Sequence, residues 1–182
     1  RSCLSNSRIS GSISWPPWPE PQEPCSSHAV CSHPDGKRCR VVMKDRRSIL
    51  FLCIGNSCRS QMAEGFLRHF AGDRFDVASA GTRPAVLNPG AVDAMREVGV
   101  DIVQHRSKSV DEFAGQRFDH VITVCDRARE SCPIFPGATR LDHWSFDDPA
   151  EATGTSEERM AVFRRVRDEI AARIQRFLDG TH

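Results

Sequence analysis

The sequence lacks two features that mark whole classes of protein, an excess of charge of one sign and a long apolar run. Its net charge at pH 7 is only +1, so no electrostatic attraction favours a nucleic acid or an acidic membrane surface as a partner. No apolar stretch approaches the ~18 residues that a membrane-spanning helix requires. We therefore expect a cytoplasmic protein with neither nucleic acid nor membrane among its partners.

The first 42 residues differ in composition from the rest of the chain. They contain six of the eleven prolines and no apolar periodicity, a composition that does not fold by itself. We predict a disordered N-terminal extension over residues 1–47 and one folded domain over residues 48–182. Because Met43 stands just before the first strand pattern, our hypothesis is that it is the natural start.

The extension also carries side chains that bind metals in other proteins. They are Cys25, His28, Cys31, His33 and Cys39. Zinc sites normally present tight ligand pairs framed by a small fold, and this stretch has no such frame. We interpret these residues as incidental and predict no resident metal or other cofactor.

Strand and helix patterns alternate beyond residue 48. Residues 49–54 read as a buried strand, and residues 61–70 follow as a helix with one apolar face. Further strands are predicted at 74–80, 118–125 and 139–142. Helices are predicted from the Asn88-Pro89 cap to Gly99, and after the capping boxes Ser109/Glu112 and Thr155/Glu158. The alternation predicts an α/β fold, a flavodoxin-like, doubly wound, four-stranded parallel sheet with helices on both faces.

The loop between the first strand and the first helix has the composition of an anion cradle. In "LFLCIGNSCRSQMAEG", residues 50–65, five residues separate Cys53 from Arg59. A loop this short can turn its backbone N–H groups inward, and the helix N-terminus adds its positive dipole end. Arg59 offers paired donors that suit a tetrahedral oxyanion. The predicted oxyanion-binding residues are Gly55, Asn56, Ser57, Cys58, Arg59 and Ser60.

Cys53 ends the strand at the bottom of this positive field. Helix N-termini and cations lower a thiol pKa from ~8.5 into the range ~3.5–7.5, and a thiolate there is a nucleophile aimed at the bound anion. We therefore expect a lowered pKa and a catalytic role for Cys53. The alternative is a small apolar core residue, as cysteine often is.

The stretch "FLCIGNSCRSQMAEG" resembles the phosphate-binding loop shared by the low-molecular-weight protein tyrosine phosphatases and the arsenate reductases built on the same fold. The resemblance implies a general acid in an Asp-Pro pair, which "HWSFDDPAEATG" supplies as Asp148. The neighbouring Asp147 is the alternative acid. It also implies a hydrogen bond from Ser60 to the Cys53 sulfur.

Two later cysteines distinguish the branches of this family. A phosphatase needs no further thiol, whereas a reductase needs electrons, which Cys125 and Cys132 of "VCDRARESCP" could provide by thiol-disulfide exchange. The pair resembles that of thioredoxin-coupled arsenate reductases. The chain also has no tyrosine, and Ala150 stands beside the Asp-Pro pair where such phosphatases place an aromatic residue.

The resemblance implies an oxidoreductase for arsenic detoxification. Cys53 would attack arsenate, and Cys125 and then Cys132 would pass electrons to it from external thioredoxin, or from a glutaredoxin or mycothiol system. We expect a monomer. Two alternatives stay open, a low-molecular-weight phosphatase with redox-regulating cysteines and a non-catalytic oxyanion-binding or redox-sensing module.

Some relatives hold a potassium ion near the loop, and Asn56, Glu64 and Ser79 match ligands of that site. However, Arg106 and Lys108 stand where the relatives use oxygen ligands. These positive side chains would repel a bound cation, so we predict no metal at this place.

Overall fold

The structure is a computed structural model that describes residues 46–126 and 138–180. Met43, the cysteines and histidines of the N-terminal extension, and Cys132 lie outside the described residues. The predictions made for them stay predictions.

A parallel four-stranded sheet forms the centre of the described fold. Its strands are β1 (Arg47–Cys53), β2 (Phe75–Gly81), β3 (Phe118–Thr123) and β4 (Ala138–His143). They are all parallel and lie in the order β2-β1-β3-β4. This is the order of flavodoxin-like doubly wound sheets, so the predicted fold class is confirmed.

Helices and short 3₁₀ turns connect the strands. In the described ranges the α-helices are α1 (Arg59–Ala71), α2 (Pro89–Arg96) and α3 (Ser156–Leu178), and the 3₁₀ turns are Val110–Phe113 and Pro149–Glu151. No described helix combines the length and the apolar composition that crossing a bilayer demands.

The core lies on both faces of the sheet. Successive side chains of a strand point to opposite faces, and the central strands carry apolar side chains at successive positions. The helices α1 and α3 pack against each other, and Phe66 and Ile170 on them are fully buried. Elsewhere Val110 and Phe113, from the first 3₁₀ turn, pack on a cluster that includes Leu50. Such double coverage explains why residues 49–53 of β1 are all apolar and buried.

The predicted caps are present. Asn88 accepts a hydrogen bond from the Gly90 N–H at 2.8 Å, and Ser109 and Thr155 each form a complete capping box. The helix after Asn88 is shorter than predicted, because it ends at Arg96. Gly99 instead occupies a turn with a φ of +76°, a conformation that glycine adopts without strain.

β3 also ends earlier than predicted, at Thr123 rather than at residue 125. Its neighbour β1 turns into the loop after Cys53, so the backbone beyond Val124 has no strand on that side to pair with. The last bond on this side joins the Val124 N–H to the Leu52 carbonyl at 2.8 Å. Cys125 therefore lies just past the strand, at the carboxyl edge of the sheet.

Candidate active site

A cavity of about 380 Å³ opens at the carboxyl edge of the sheet. It lies where the neighbouring strands β1 and β3 both end, which is the point in a doubly wound sheet at which the strand order reverses and ligands bind. Its lining combines thiols, guanidinium groups and carboxyl groups from distant parts of the chain. These residues include Cys53, Cys58, Cys125, Arg59, Arg83, Asp126, Asp147, Asp148 and Glu151.

Cys53 is the last residue of β1 and is buried. The Asn56 N–H donates to its sulfur at 3.0 Å, and the Ser60 hydroxyl oxygen lies 2.9 Å from the same sulfur. The Ser60 contact is the one that the family resemblance implies. The strand thus holds the sulfur in place while the loop directs two polar groups at it.

The pKa of Cys53 contradicts the expectation from the sequence. Burial raises the pKa of this thiol because the charged form loses its hydration, and this outweighs the hydrogen bonds from Ser60 and the Asn56 N–H. The nearby Cys125 raises the pKa further, and Arg59 lowers it only weakly. The predicted lowered pKa is therefore wrong for this conformation, in which Cys53 is a neutral thiol at pH 7.

Arg59 explains part of that result, because its guanidinium group is engaged elsewhere. It donates to the Phe146 carbonyl at 2.9 Å and to the Asp148 carboxylate at 2.5 Å. The arginine begins α1, whereas the carboxylate comes from the loop before the second 3₁₀ turn. The first helix and this late loop therefore meet at the cavity through one ion pair.

The two candidate acids differ in orientation. Asp148 pairs directly with Arg59 at the cavity, and its other oxygen accepts from the Ala150 N–H at 3.1 Å. Asp147 also lines the cavity, but its carboxylate bonds to Arg165 at 2.9 Å, on α3. The geometry therefore favours Asp148 as the acid that works beside Arg59.

Asn56 holds the shape of the loop, and it does so with a strained backbone. Its φ is +46°, in the left-handed region that few residues other than glycine adopt. Its side chain donates to Ser60 at 2.9 Å and to Ser79 at 2.8 Å. Fully buried Asn56 thus links the end of β2 to the residue that contacts the Cys53 sulfur.

Gln61 supports the anion loop, and its sequence position did not indicate this contact. Its amide nitrogen lies 3.1 Å from the Asn56 carbonyl and 3.0 Å from its side-chain oxygen. Its amide oxygen contacts the His105 ring at 3.0 Å. The signal in the sequence is weak, because a glutamine on a helix normally faces solvent and only the fold buries this one.

A second loop, residues 82–88, braces the anion loop and was also missed. Its backbone N–H groups donate to carbonyl oxygens of the anion loop at 2.8 to 3.3 Å. The pairs are Thr82 to Cys53, Arg83 to Ile54, Ala85 to Gly55 and Asn88 to Ser57. These bonds occupy the carbonyl groups on the outer side of the anion loop and leave its N–H groups to serve the cavity.

The residues that match the potassium ligands of some relatives are bonded to one another in this structure. Ser79 donates to the buried Glu64 carboxylate at 2.5 Å and accepts from Asn56. Lys108 places its ammonium group 3.2 Å from the same carboxylate, and Arg68 bonds its other oxygen at 2.7 Å. Across the described part of the chain, no group of three acidic, cysteine or histidine side chains could hold a metal ion.

Two further cysteines, Cys58 and Cys125, lie at this cavity. Cys125 is buried and lines the same cavity as Cys53, so the structure brings these two thiols together with Arg59 and Asp148. Cys58 is also buried, and desolvation raises its pKa to about 12. No contact of Cys132 is described, since it lies outside the described residues.

This fold and this site define a class of proteins in which a cysteine at the end of a strand faces an oxyanion held at a helix N-terminus. The chain belongs to the low molecular weight phosphotyrosine protein phosphatase family, whose match covers residues 48–181.

Relatives with high sequence identity are arsenate reductases. An arsenate reductase of Halalkalibacterium halodurans is 50% identical over 135 residues, which are 74% of this chain and 97% of that protein. An arsenate reductase of Bacillus subtilis is 48% identical over 135 residues, with the same two coverages.

Solved structures agree with these relatives. An arsenate reductase in the phosphate binding state aligns with a TM-score of 0.62 at 28% identity, and covers 75% of this chain and 99% of its own. The thioredoxin-dependent arsenate reductase of Corynebacterium glutamicum aligns with a TM-score of 0.58 at 30% identity, over 75% of this chain and 62% of its own.

Proposed function

We propose that the protein is an arsenate reductase that reduces arsenate to arsenite with electrons from its own cysteines. One observation carries the proposal: two buried thiols, Cys53 and Cys125, line one cavity together with Arg59 and Asp148. The high identity to named arsenate reductases over nearly their whole length supports it. A phosphatase of this family would use Cys53 alone.

In the first step arsenate binds between the loop N–H groups and Arg59, which exchanges the Asp148 carboxylate for the anion. The Cys53 sulfur attacks arsenic and a sulfur-arsenic bond forms. One arsenate oxygen leaves as water, and the proton it needs comes from the pair formed by the Cys53 thiol and the Asp148 carboxyl. This proton balance suits a thiol that is neutral before substrate binds.

In the second step the Cys125 sulfur attacks the Cys53 sulfur. The sulfur-arsenic bond breaks and its electron pair stays on arsenic, which is reduced from As(V) to As(III). Arsenite leaves with the proton of the Cys125 thiol, and a Cys53–Cys125 disulfide remains. The placement of both cysteines on one cavity supports this step.

In the third step Cys132 attacks the Cys125 sulfur and returns Cys53 to its thiol form. An external dithiol then reduces the Cys125–Cys132 disulfide. We propose thioredoxin for that role, because the similar arsenate reductase of C. glutamicum is thioredoxin-dependent. Glutaredoxin or a mycothiol system is the alternative, and we propose the cytoplasm as the place of reaction.

The exchange Cys125→Ser tests the relay. It should abolish the release of arsenite from arsenate, yet preserve the hydrolysis of an aryl phosphate, which needs only Cys53, Arg59 and Asp148. Cys3→Ser makes the same exchange outside the residues that match the family and should leave both reactions unchanged.

The competing functions predict other results. A phosphatase would hydrolyse the aryl phosphate and release no arsenite in the wild-type protein. A non-catalytic module would do neither. Arsenite release that survives Cys125→Ser at the wild-type rate would contradict the relay while leaving the family membership intact.

A further inference from the structure

A chain of hydrogen bonds outside the predicted site residues attaches Cys125 to the sheet edge. The Asp126 carboxylate accepts from the His143 ring at 2.8 Å and from the Ser145 hydroxyl at 3.1 Å. The other ring nitrogen of His143 lies 2.7 Å from the Thr123 hydroxyl. We call these four residues the Asp126 clamp. It joins the end of β3 to the last residue of β4 and to Ser145 just after that strand.

Cys125 lies between the two attachments of its own segment. On one side the Val124 N–H donates to the Leu52 carbonyl of β1 at 2.8 Å. On the other side Asp126 is held by the clamp. β3 has ended at Thr123, so hydrogen bonds of the sheet no longer fix the backbone at Cys125. The two contacts fix it instead, and they set where the Cys125 sulfur lies along the cavity.

The clamp is satisfied whichever charge His143 carries. An ionised carboxylate only accepts hydrogen bonds, so the ring nitrogen facing Asp126 is the donor. In the neutral ring the other nitrogen accepts from the Thr123 hydroxyl. In the charged ring it donates to that hydroxyl, which can turn toward the Asp142 carbonyl at 3.5 Å. The hydrogen bonds of the clamp therefore do not depend on the charge of His143.

We infer that Asp126 is a positioning residue for the disulfide-forming step: through His143 and Ser145 it holds Cys125 where its sulfur attacks the sulfur of Cys53. The inference rests on the proposed function. Asp126 touches neither sulfur bond that is made or broken, and its effect is geometric. A misplacement of reacting groups by about 1 Å can cost up to about 100-fold in rate, although a largely exposed carboxylate such as Asp126 constrains less tightly.

The clamp separates two reactions that share Cys53. Hydrolysis of an aryl phosphate uses Cys53 without Cys125, so a clamp variant should spare it. Release of arsenite requires the attack by Cys125, so the same variant should slow it. A general loss of structure would slow both.

The test measures arsenite release in a single turnover without any external reductant. Asp126→Ala should slow this release about tenfold and leave the kcat of aryl phosphate hydrolysis within about twofold, and His143→Ala should reproduce the pattern. Asp126→Asn should restore release to within about twofold of wild type, because the amide oxygen still accepts from His143. The matched control, Asp76→Ala, removes an exposed, ion-paired aspartate at the opposite edge of the sheet and should change neither rate.

Three results would overturn the inference. They are unchanged arsenite release in Asp126→Ala, an equal loss of both reactions, and an Asp126→Asn variant as slow as Asp126→Ala.

If the wild-type protein releases no arsenite, the proposed function fails, and the clamp is then tested by adding hydrogen peroxide. Peroxide oxidises Cys53 to a sulfenic acid, Cys125 displaces water from it, and mass spectrometry follows the disulfide, which should form about tenfold more slowly in Asp126→Ala.

Discussion

At the scale of single residues, burial keeps the Cys53 thiol neutral, and the ion pair between Arg59 and Asp148 supplies the groups that let it react in the proposed mechanism. The guanidinium group donates to the Asp148 carboxylate and to the Phe146 carbonyl. An arriving oxyanion competes with Asp148 for the same donors. The displaced carboxylate then lies beside a second negative group, where a proton between them removes the repulsion. In the proposed reaction, substrate binding thus places the proton shared by Cys53 and Asp148 beside the arsenate oxygen that leaves as water.

Arg83 is the residue at the cavity for which the structure predicts a measurable effect on substrate capture. Carboxyl groups crowd the cavity lining: Asp126, Asp147, Asp148 and Glu151. Arg83 is exposed there, and the described residues provide no ion-pair partner for its guanidinium. Its N–H is bonded to Ile54 at 2.9 Å, and the following proline restricts its backbone. Arg83→Ala should raise the KM for arsenate roughly threefold, most strongly at low salt, with kcat unchanged.

Steady-state kinetics at low and high ionic strength check this prediction. Arg117→Ala removes the same charge just before β3, at the amino edge of the sheet and away from the cavity, and should not change KM. A KM that is the same in Arg83→Ala and wild type at low salt would show that the charge does not act on the substrate.

At the scale of elements, the anion loop depends on its packing against the end of β2. Gly81 pairs with Cys53 in the sheet. A Cβ atom on Gly81 would overlap the Ile54 carbonyl oxygen and lie 2.9 Å from the Asn56 nitrogen. That nitrogen donates to the Cys53 sulfur, so the obstructed atoms are those that shape the cradle.

Gly81→Ala should therefore weaken oxyanion binding as well as stability. We expect the Kd for inorganic phosphate, measured by calorimetry, to rise about tenfold or more, since the loop must move to relieve the overlap. Gly65→Ala is the matched control. Its Cβ would lie 2.8 Å from Ile102 inside the core, with its nearest atoms belonging to core side chains and not to the loop. The exchange should lower the free energy of unfolding by about 1 to 3 kcal/mol while phosphate affinity is kept. Equal phosphate affinities in both variants would contradict the role given to Gly81.

At the scale of the whole molecule, the parts that follow from local sequence were predictable. The β1-loop-α1 unit and the capping boxes at Ser109 and Thr155 depend on neighbours within a few positions. The pKa of Cys53 depends on burial and on where Arg59 points, and that direction is set by Asp148, 89 positions away. The same holds for Gln61, whose partner Asn56 acquires its geometry only in the folded loop.

The buried thiols make the stability of the whole fold depend on pH. Burial raises the pKa of Cys58 to about 12 from an ordinary value near 9, and it also raises that of Cys53. Well below pH 9 both thiols are protonated in the folded and the unfolded chain, and they contribute almost no slope. Above pH 9 the unfolded chain releases protons that the folded chain retains, so stability falls as pH rises until the folded pKa is passed. Each such thiol removes up to about 1.4 kcal/mol per pH unit in this window.

Urea unfolding at pH 8 and pH 10 under reducing conditions measures this effect. Cys58→Ala should lose packing energy equally at both pH values, yet its stability should fall about 1 kcal/mol less between them than that of the wild-type protein. Val100→Ala, a buried exchange without a titratable group, should lose stability in parallel with wild type. Parallel loss in Cys58→Ala as well would mean that the folded protein ionises Cys58 as readily as the unfolded chain does, and that the thiol is not shielded from water as its burial requires.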